Sequence, residues 1–208
     1  MVISKIFDVY KSLLNLFGYQ NWWPVHDGQD KIVEITVGAI LTQNTSWKNV
    51  EKAIENLINK NAISFEKILE MNISELEYLI KPAGFYKRKS ITLKEIAKLF
   101  LSGKEINRQN LLSIKGIGKE TADSILLYAF DKPYFVIDSY TKRLFSRLGF
   151  CDENISYDNL QKIITDNILN DIEIYKEFHA LIVEHCKIFC KKKPACLNCP
   201  LKRECKFG

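Results

Sequence analysis

The chain has 208 residues, 47% of them hydrophobic and 26% charged, a balance that lets a globular protein bury a core without disulfides. Its net charge of +5 suits a polyanionic partner without demanding one. No apolar run approaches the ~20 residues that cross a bilayer, and the N-terminal segment lacks a signal peptide's unbroken apolar stretch, so a cytoplasmic protein with no membrane partner is expected.

Helical periodicity dominates in chain order. Ile6, Val9, Leu13, Leu16 and Phe17 share one face, and Gly18 ends that segment. Ile32 to Leu41 is almost continuously apolar, long enough for a buried helix, and Val50, Ile54, Leu57 and Ile58 line another. Ser74 with Glu77 reads as a capping box opening ISELEYLI. Gly84 breaks the chain before an amphipathic Lys89–Leu101 segment. Leu111, Leu112 and Ile114 close a helix, Gly116-Ile117-Gly118 turns sharply, and Lys119–Phe130 is helical again. Pro133 then breaks the helix and DKPYFVID runs extended. Asp138 stands where an N-cap belongs, ahead of SYTKRLFSRLGF, and Tyr157–Leu169 and Ile172–Phe189 follow. Without an alternating strand pattern, the chain is predicted to be all-α with roughly ten helices.

Two stretches carry chemistry. In LLSIKGIGKETADS, the glycines allow a tight turn, and Gly118 leaves free N–H groups at the start of a helix. Such a terminus attracts phosphate, and Lys115 and Lys119 add charge. On the turn alone, a hairpin used only for packing remains an equal alternative. Five of the six cysteines fall between Cys186 and Cys205, and Cys190-x5-Cys196-x2-Cys199-x5-Cys205 places four thiolates within reach of either an iron–sulfur cluster or zinc. Cys151 and Cys186 match no ligand position. His26, His179 and His185 show no ligand spacing and are given no catalytic role.

Taken together, the hairpin, the aspartate in YFVIDSYTKRL 20 residues past Gly118, and the cysteine tail resemble the helix-hairpin-helix (HhH-GPD) DNA glycosylases of the endonuclease III superfamily. The resemblance implies an all-α, two-lobed fold. Residues 29–132 would form the lobe with the hairpin; 1–28 plus 133–208 would form the second, ending in a 4Fe–4S loop. Asp138 would be the catalytic carboxylate, because breaking an N-glycosidic bond builds oxocarbenium charge on the sugar. The family's lyase lysine falls at Glu120, whose carboxylate cannot form a Schiff base. A monofunctional enzyme using water is therefore expected. Gln43 matches a residue that fills the gap left by the extruded base. Phe85, followed by basic Lys87, Arg88 and Lys89, matches an apolar wedge. Lys115, Gly116, Gly118 and Lys119 would hold DNA phosphate, and Cys190, Cys196, Cys199 and Cys205 would hold a structural 4Fe–4S cluster.

NWWP, LTQNTSW, KPAGFYKRK, VIDSY and FHALIVEH further resemble the 3-methyladenine DNA glycosylase III group. That resemblance puts Trp22 and Trp47, with Trp23 beside them, around an alkylated purine. The chain departs from both patterns. The first cysteine gap is five residues where endonuclease III has six, and the methyladenine group lacks the cluster. The expected partner is double-stranded DNA with a damaged or mismatched base, bound by a monomer. A uracil or mismatched-thymine glycosylase, an endonuclease III-like enzyme with lyase activity, a non-catalytic DNA-binding hairpin protein and an electron-transfer cluster protein stay as alternatives.

Overall fold

A computed structural model describes residues 5–207. Among these the regular structure is entirely helical, with eleven α-helices and one 3₁₀ turn. The chain divides into two compact units. One is the continuous segment Trp23–Phe130; the other joins Met1–Trp22 to Asp131–Gly208.

The continuous unit is built on α2 (Lys31–Leu41), whose residues Val33 through Leu41 are all buried. Its N-terminus is capped by Asp30, which accepts from the N–H groups of Ile32 and Val33, an arrangement that contributes about 1 kcal/mol. α2 packs against α3 (Trp47–Asn59), α6 (Tyr86–Leu101) and α8 (Lys119–Phe130). Between them run α4 (Phe65–Glu70), α5 (Ile73–Leu79) and the 3₁₀ turn Lys81–Ala83. The cap of α5 is Asn72, whose side chain accepts from Ser74 N, so Ser74 and Glu77 do not form the predicted capping box. Asn competes well for that role because its oxygen reaches the N2 amide from an extended backbone.

α7 (Arg108–Leu112) is shorter than its apolar pattern suggests, ending before Ile114. It is fixed to α8 by a bidentate pair in which Arg108 Nε and Nη2 donate to Asp123 Oδ1 and Oδ2 at 2.6 and 3.1 Å. Asp123 is fully buried, and removing one member of such a pair costs about 3–5 kcal/mol. The α7–turn–α8 hairpin is thus anchored from inside.

In the second unit α1 (Lys5–Phe17) and α9 (Ser139–Leu148) both pack on α11 (Ile172–Ile188). Buried aromatics fill the space: Phe178 meets Tyr10 and Phe135 edge to face at 5.5 and 5.8 Å. α10 (Tyr157–Thr165) ends four residues short of the predicted Leu169. The segment before α9 runs extended, with Phe135, Val136 and Ile137 buried. It delivers Asp138 to the start of α9 as its N-cap.

Candidate functional site

The continuous unit brings four predicted DNA-facing features together. Gly116 lies at φ +99°, and a Cβ there would meet Thr92 Oγ1 at 2.5 Å. Gly118 does not use the left-handed region and has open space around its missing Cβ. The two glycines therefore do different work: Gly116 permits the turn and close packing, while Gly118 leaves the start of α8 uncovered. Between them Ile117 is buried, anchoring the turn by about 1.5–3 kcal/mol. Lys115, Lys119 and Glu120 are exposed.

Gln43 follows α2 and donates through Nε2 to Gly116 O at 3.0 Å and to Thr121 Oγ1 at 2.8 Å. Its loop is thereby tied to the hairpin. Phe85 precedes α6 at φ +47° with 61% of its surface exposed. An exposed apolar ring on a strained left-handed backbone costs about 1–2 kcal/mol, and surrounding structure must over-determine it. Lys89 is buried, not surface-facing like Lys87 and Arg88.

Of the tryptophans, Trp23 packs edge to face on Trp47 and Tyr128 at 5.4 and 5.5 Å. It also lies against Gly38, where a Cβ would come within 3.0 Å of its ring. Trp47 donates Nε1 to Glu51 Oε1 at 2.7 Å.

Trp22 belongs to the other unit, where its ring meets His179 edge to face at 5.8 Å. Lys187 Nζ lies 5.7 Å from its centroid. Buried Glu177 fixes the approach to Trp22 by accepting from the N–H groups of Gln20 and Asn21. His179 Nε2 stands 3.7 Å from Asp138 Oδ2. Asp138 Oδ1 accepts from Thr141 N at 2.7 Å and Thr141 Oγ1 at 2.8 Å. Burial pushes the Asp138 carboxyl up, but His179 and the Thr141 donors outweigh it and hold the group below its ordinary value. The result is an ionised carboxylate at a helix N-terminus facing an imidazole, which in turn packs against the Trp22 indole. Glu177 and His179 escape sequence reading because neither has a local pattern; their partners lie 157 and 41 residues away.

The four predicted cysteine ligands line one small, largely apolar cavity with Leu144, Leu148, Pro194 and Leu201. Among the described residues no three His, Cys, Asp or Glu groups gather closely enough to hold a single metal ion. α9 secures this loop. Arg143 Nε donates to Cys190 O at 2.7 Å, and Arg147 donates to Lys191 O and Lys192 O at 2.7 and 3.2 Å. Cys186 beside it and the two arginines pull the Cys190 thiol below its ordinary value, against the opposing effect of burial. His185 Nε2 lies 3.8 Å from Cys199 Sγ, and burial lowers that imidazole to about 4, keeping it neutral.

A fold of this kind, with its hairpin, its capped aspartate and its cysteine loop, belongs to a known class. Residues 37–168 match the HhH-GPD superfamily of base excision DNA repair proteins, and the chain belongs to that superfamily: it is a DNA glycosylase of base excision repair. A candidate DNA repair glycosylase of Methanocaldococcus jannaschii is 51% identical, over 97% of this chain and 96% of its own. Endonuclease III of Thermotoga maritima is 26% identical over 83% and 82%. Among solved structures, the Helicobacter pylori 3-methyladenine DNA glycosylase bound to 1,N6-ethenoadenine superposes with a TM-score of 0.77 at 32% identity. It covers 88% of this chain and 98% of that one. A non-covalent endonuclease III–DNA complex superposes at 0.87 with 22% identity, over 100% and 96%, a likeness of fold.

Proposed function

We propose that the protein is a monofunctional DNA N-glycosylase that releases an alkylated purine such as 3-methyladenine from double-stranded DNA. The observation that carries this reading is the Asp138–His179–Trp22 array. It supplies a fixed negative charge at the start of α9, with His179 of α11 touching both that carboxylate and the Trp22 ring. As the glycosidic bond lengthens, the sugar gains positive charge; an ionised Asp138 stabilises that charge and orients water toward C1′. Trp22 and Trp47 supply aromatic faces, which favour an electron-poor base over a neutral one, and Trp23 backs Trp47. Glu120 occupies the position where a lyase would need an amine, so water takes C1′ as the C1′–N bond breaks, the base leaves, and the abasic sugar stays in the strand. Gln43 and Phe85 enter the duplex, while Lys115, Lys119 and the amides after Gly116 and Gly118 take backbone phosphate. The methyladenine glycosylase likeness, the nearer of the two solved structures in sequence, supports the substrate class.

Four thiols lining one apolar cavity make a donor set that suits a 4Fe–4S cluster or zinc, and the resemblance of the loop to that of endonuclease III favours the cluster. Zinc would draw four sulfurs to about 2.3 Å from one ion, whereas a cuboidal cluster keeps its thiolates further apart. Cys190, Cys196, Cys199 and Cys205 would hold it. When bound, the cluster supplies a rigid covalent staple for the C-terminal loop, and Lys191, Lys192, Lys193, Lys202 and Arg203 around it offer phosphate contacts.

The test is base release from end-labelled duplexes containing 3-methyladenine, uracil, mismatched thymine or 8-oxoguanine, with and without alkali. Breaks on the 3-methyladenine duplex only after alkali are expected, with no borohydride-trapped adduct. Breaks without alkali, or a trapped adduct, would overturn the monofunctional reading. A response confined to uracil or thymine would overturn the substrate.

A further inference from the structure

Lys89 lies in the first turn of α6 and is only 3% exposed. Its ammonium donates to Leu41 O at 2.8 Å, Gln43 O at 2.8 Å and Ala83 O at 2.9 Å. A lysine has three donors, and all three are used. The acceptors come from two places far apart in sequence. Leu41 closes α2 and leaves a C-terminal carbonyl without a helical partner, which favours a cation; Gln43 is two residues on. Ala83 ends the turn that leads through Gly84 to Phe85.

Burying an ammonium is expensive, and burial drags this one down to about 8. A chain needing only core stability at this position gains more from an apolar side chain of similar volume. What no apolar side chain does is gather three backbone carbonyls. The contact continues one turn along α6, where the single Thr92 hydroxyl lies within hydrogen-bond reach of both Arg88 O at 3.1 Å and Lys115 O at 3.2 Å. Gln43 itself reaches the hairpin through Gly116 O and Thr121 Oγ1. The left-handed Phe85 backbone also needs an outside constraint, and the Ala83 carbonyl held by Lys89 lies two residues before it.

We propose that Lys89 is a positioning residue for base extrusion: by holding the Gln43 loop and the Phe85 turn to one ammonium, it makes the gap-filling and wedging side chains enter the duplex as a single rigid unit. The proposal rests on the glycosylase reading above. Lys89 touches neither DNA nor the reacting atoms. Its effect is on the cost of extrusion and not on the chemistry that follows, and the two separate experimentally. An extruded base in a well-stacked, fully paired duplex must be displaced, whereas a lesion opposite an abasic site is already loosely held.

The experiment uses Lys89→Met in the full chain, with Phe85→Ala and the double variant. Single-turnover release of 3-methyladenine from a fully paired duplex should fall about 100-fold, the cost of misplacing a positioned group by an ångström. Release of the same base opposite an abasic site should stay close to wild type. 2-Aminopurine next to the lesion should brighten on binding wild-type protein and much less with Lys89→Met. The Lys89→Met and Phe85→Ala losses should be non-additive, since one acts through the other. Equal losses on paired and unpaired lesions, or additive losses in the double variant, would overturn the proposal. So would a Lys89→Met protein with wild-type rates. If that variant does not fold, Lys89→Gln, whose amide can satisfy two of the three carbonyls, takes its place; failure of both to fold would reduce Lys89 to a stability residue and also overturn it. Wild-type protein that releases no base from any duplex defeats the glycosylase reading itself, an outcome visible before any variant is made.

Discussion

The two oxygens of Asp138 have different neighbours. Oδ1 is the cap of α9 and is occupied by Thr141 N and Oγ1; Oδ2 faces His179 at 3.7 Å. Asp138→Asn separates structure from chemistry, because an asparagine oxygen caps a helix as well as an aspartate does. Its melting temperature should stay within about 2 °C of wild type, while single-turnover base release should fall about 10²- to 10³-fold. An Asn variant at wild-type rate would show that the carboxylate only caps. Because the folded carboxyl is held below its ordinary value, its stabilising contribution is complete above the unfolded carboxylate range and disappears as pH falls through the folded value. The acidic limb of the pH–rate profile should therefore lie below about pH 3.9, the ordinary aspartate value. In His179→Ala that limb should move to higher pH, since the strongest of the opposing influences is gone while burial remains. Asp138 was legible because a cap leaves a local pattern. His179 was not, and Lys89 looked like one more surface base in KRK; both acquire meaning only through partners distant in sequence.

At the scale of the element, the hairpin shows how one short pattern can hold two physical demands. Gly116→Ala puts a side chain at φ +99° and a Cβ 2.5 Å from Thr92 Oγ1, so it should destabilise the protein by about 1–3 kcal/mol and displace the turn. Gly118→Ala meets open space and ordinary backbone. It should cost less than about 1 kcal/mol but weaken DNA binding, because the methyl stands where a phosphate must approach α8. Thermal melts alongside titration of an undamaged duplex check the pair. Equal affinity in Gly118→Ala and wild type would mean that the helix start does not take phosphate. The apolar faces of α1 and α3 were readable from period, and α2 from its almost continuous apolar run. The cap of α5 and the early end of α7 were not: Asn72 and Ser74 both offer a capping oxygen within three residues, and the apolar pattern of Leu111, Leu112 and Ile114 runs on past the point where the helix stops. The bidentate Arg108–Asp123 anchor left no trace in the periodicity.

On the scale of the whole molecule, the all-helical class follows from periodicity, but the assembly of a unit from Met1–Trp22 and Asp131–Gly208 does not. No Gly- or Pro-rich linker marks where the chain leaves one unit for the other. The net charge of +5 likewise says little until the charges are placed. The cysteine loop is where whole-molecule stability can be tested. Its backbone is held to α9 mainly by Arg143 and Arg147, and Lys206 N returns to Arg147 O at 3.0 Å. The arginine bonds converge on main-chain carbonyls of residues 190–192, while Lys206 N and Cys205 Sγ return to Arg147 O and Leu201 is buried; the stretch between these two ends, which carries Cys196 and Cys199, leans most on whatever the four thiols bind. Cys199→Ser, or treatment with an iron chelator, should abolish the broad visible absorbance expected of the proposed cluster and open the chain beyond Phe189 to proteolysis. The melting temperature should fall by several degrees, about 2–4 °C for each kcal/mol at this chain length. Cleavage should begin after the Arg147 contacts, in the Lys192–Lys202 stretch, and leave α9 and α11 intact. A Cys199→Ser protein with unchanged melting and no new cleavage site would show that the loop stands on its α9 contacts alone, and that a cluster there serves something other than stability.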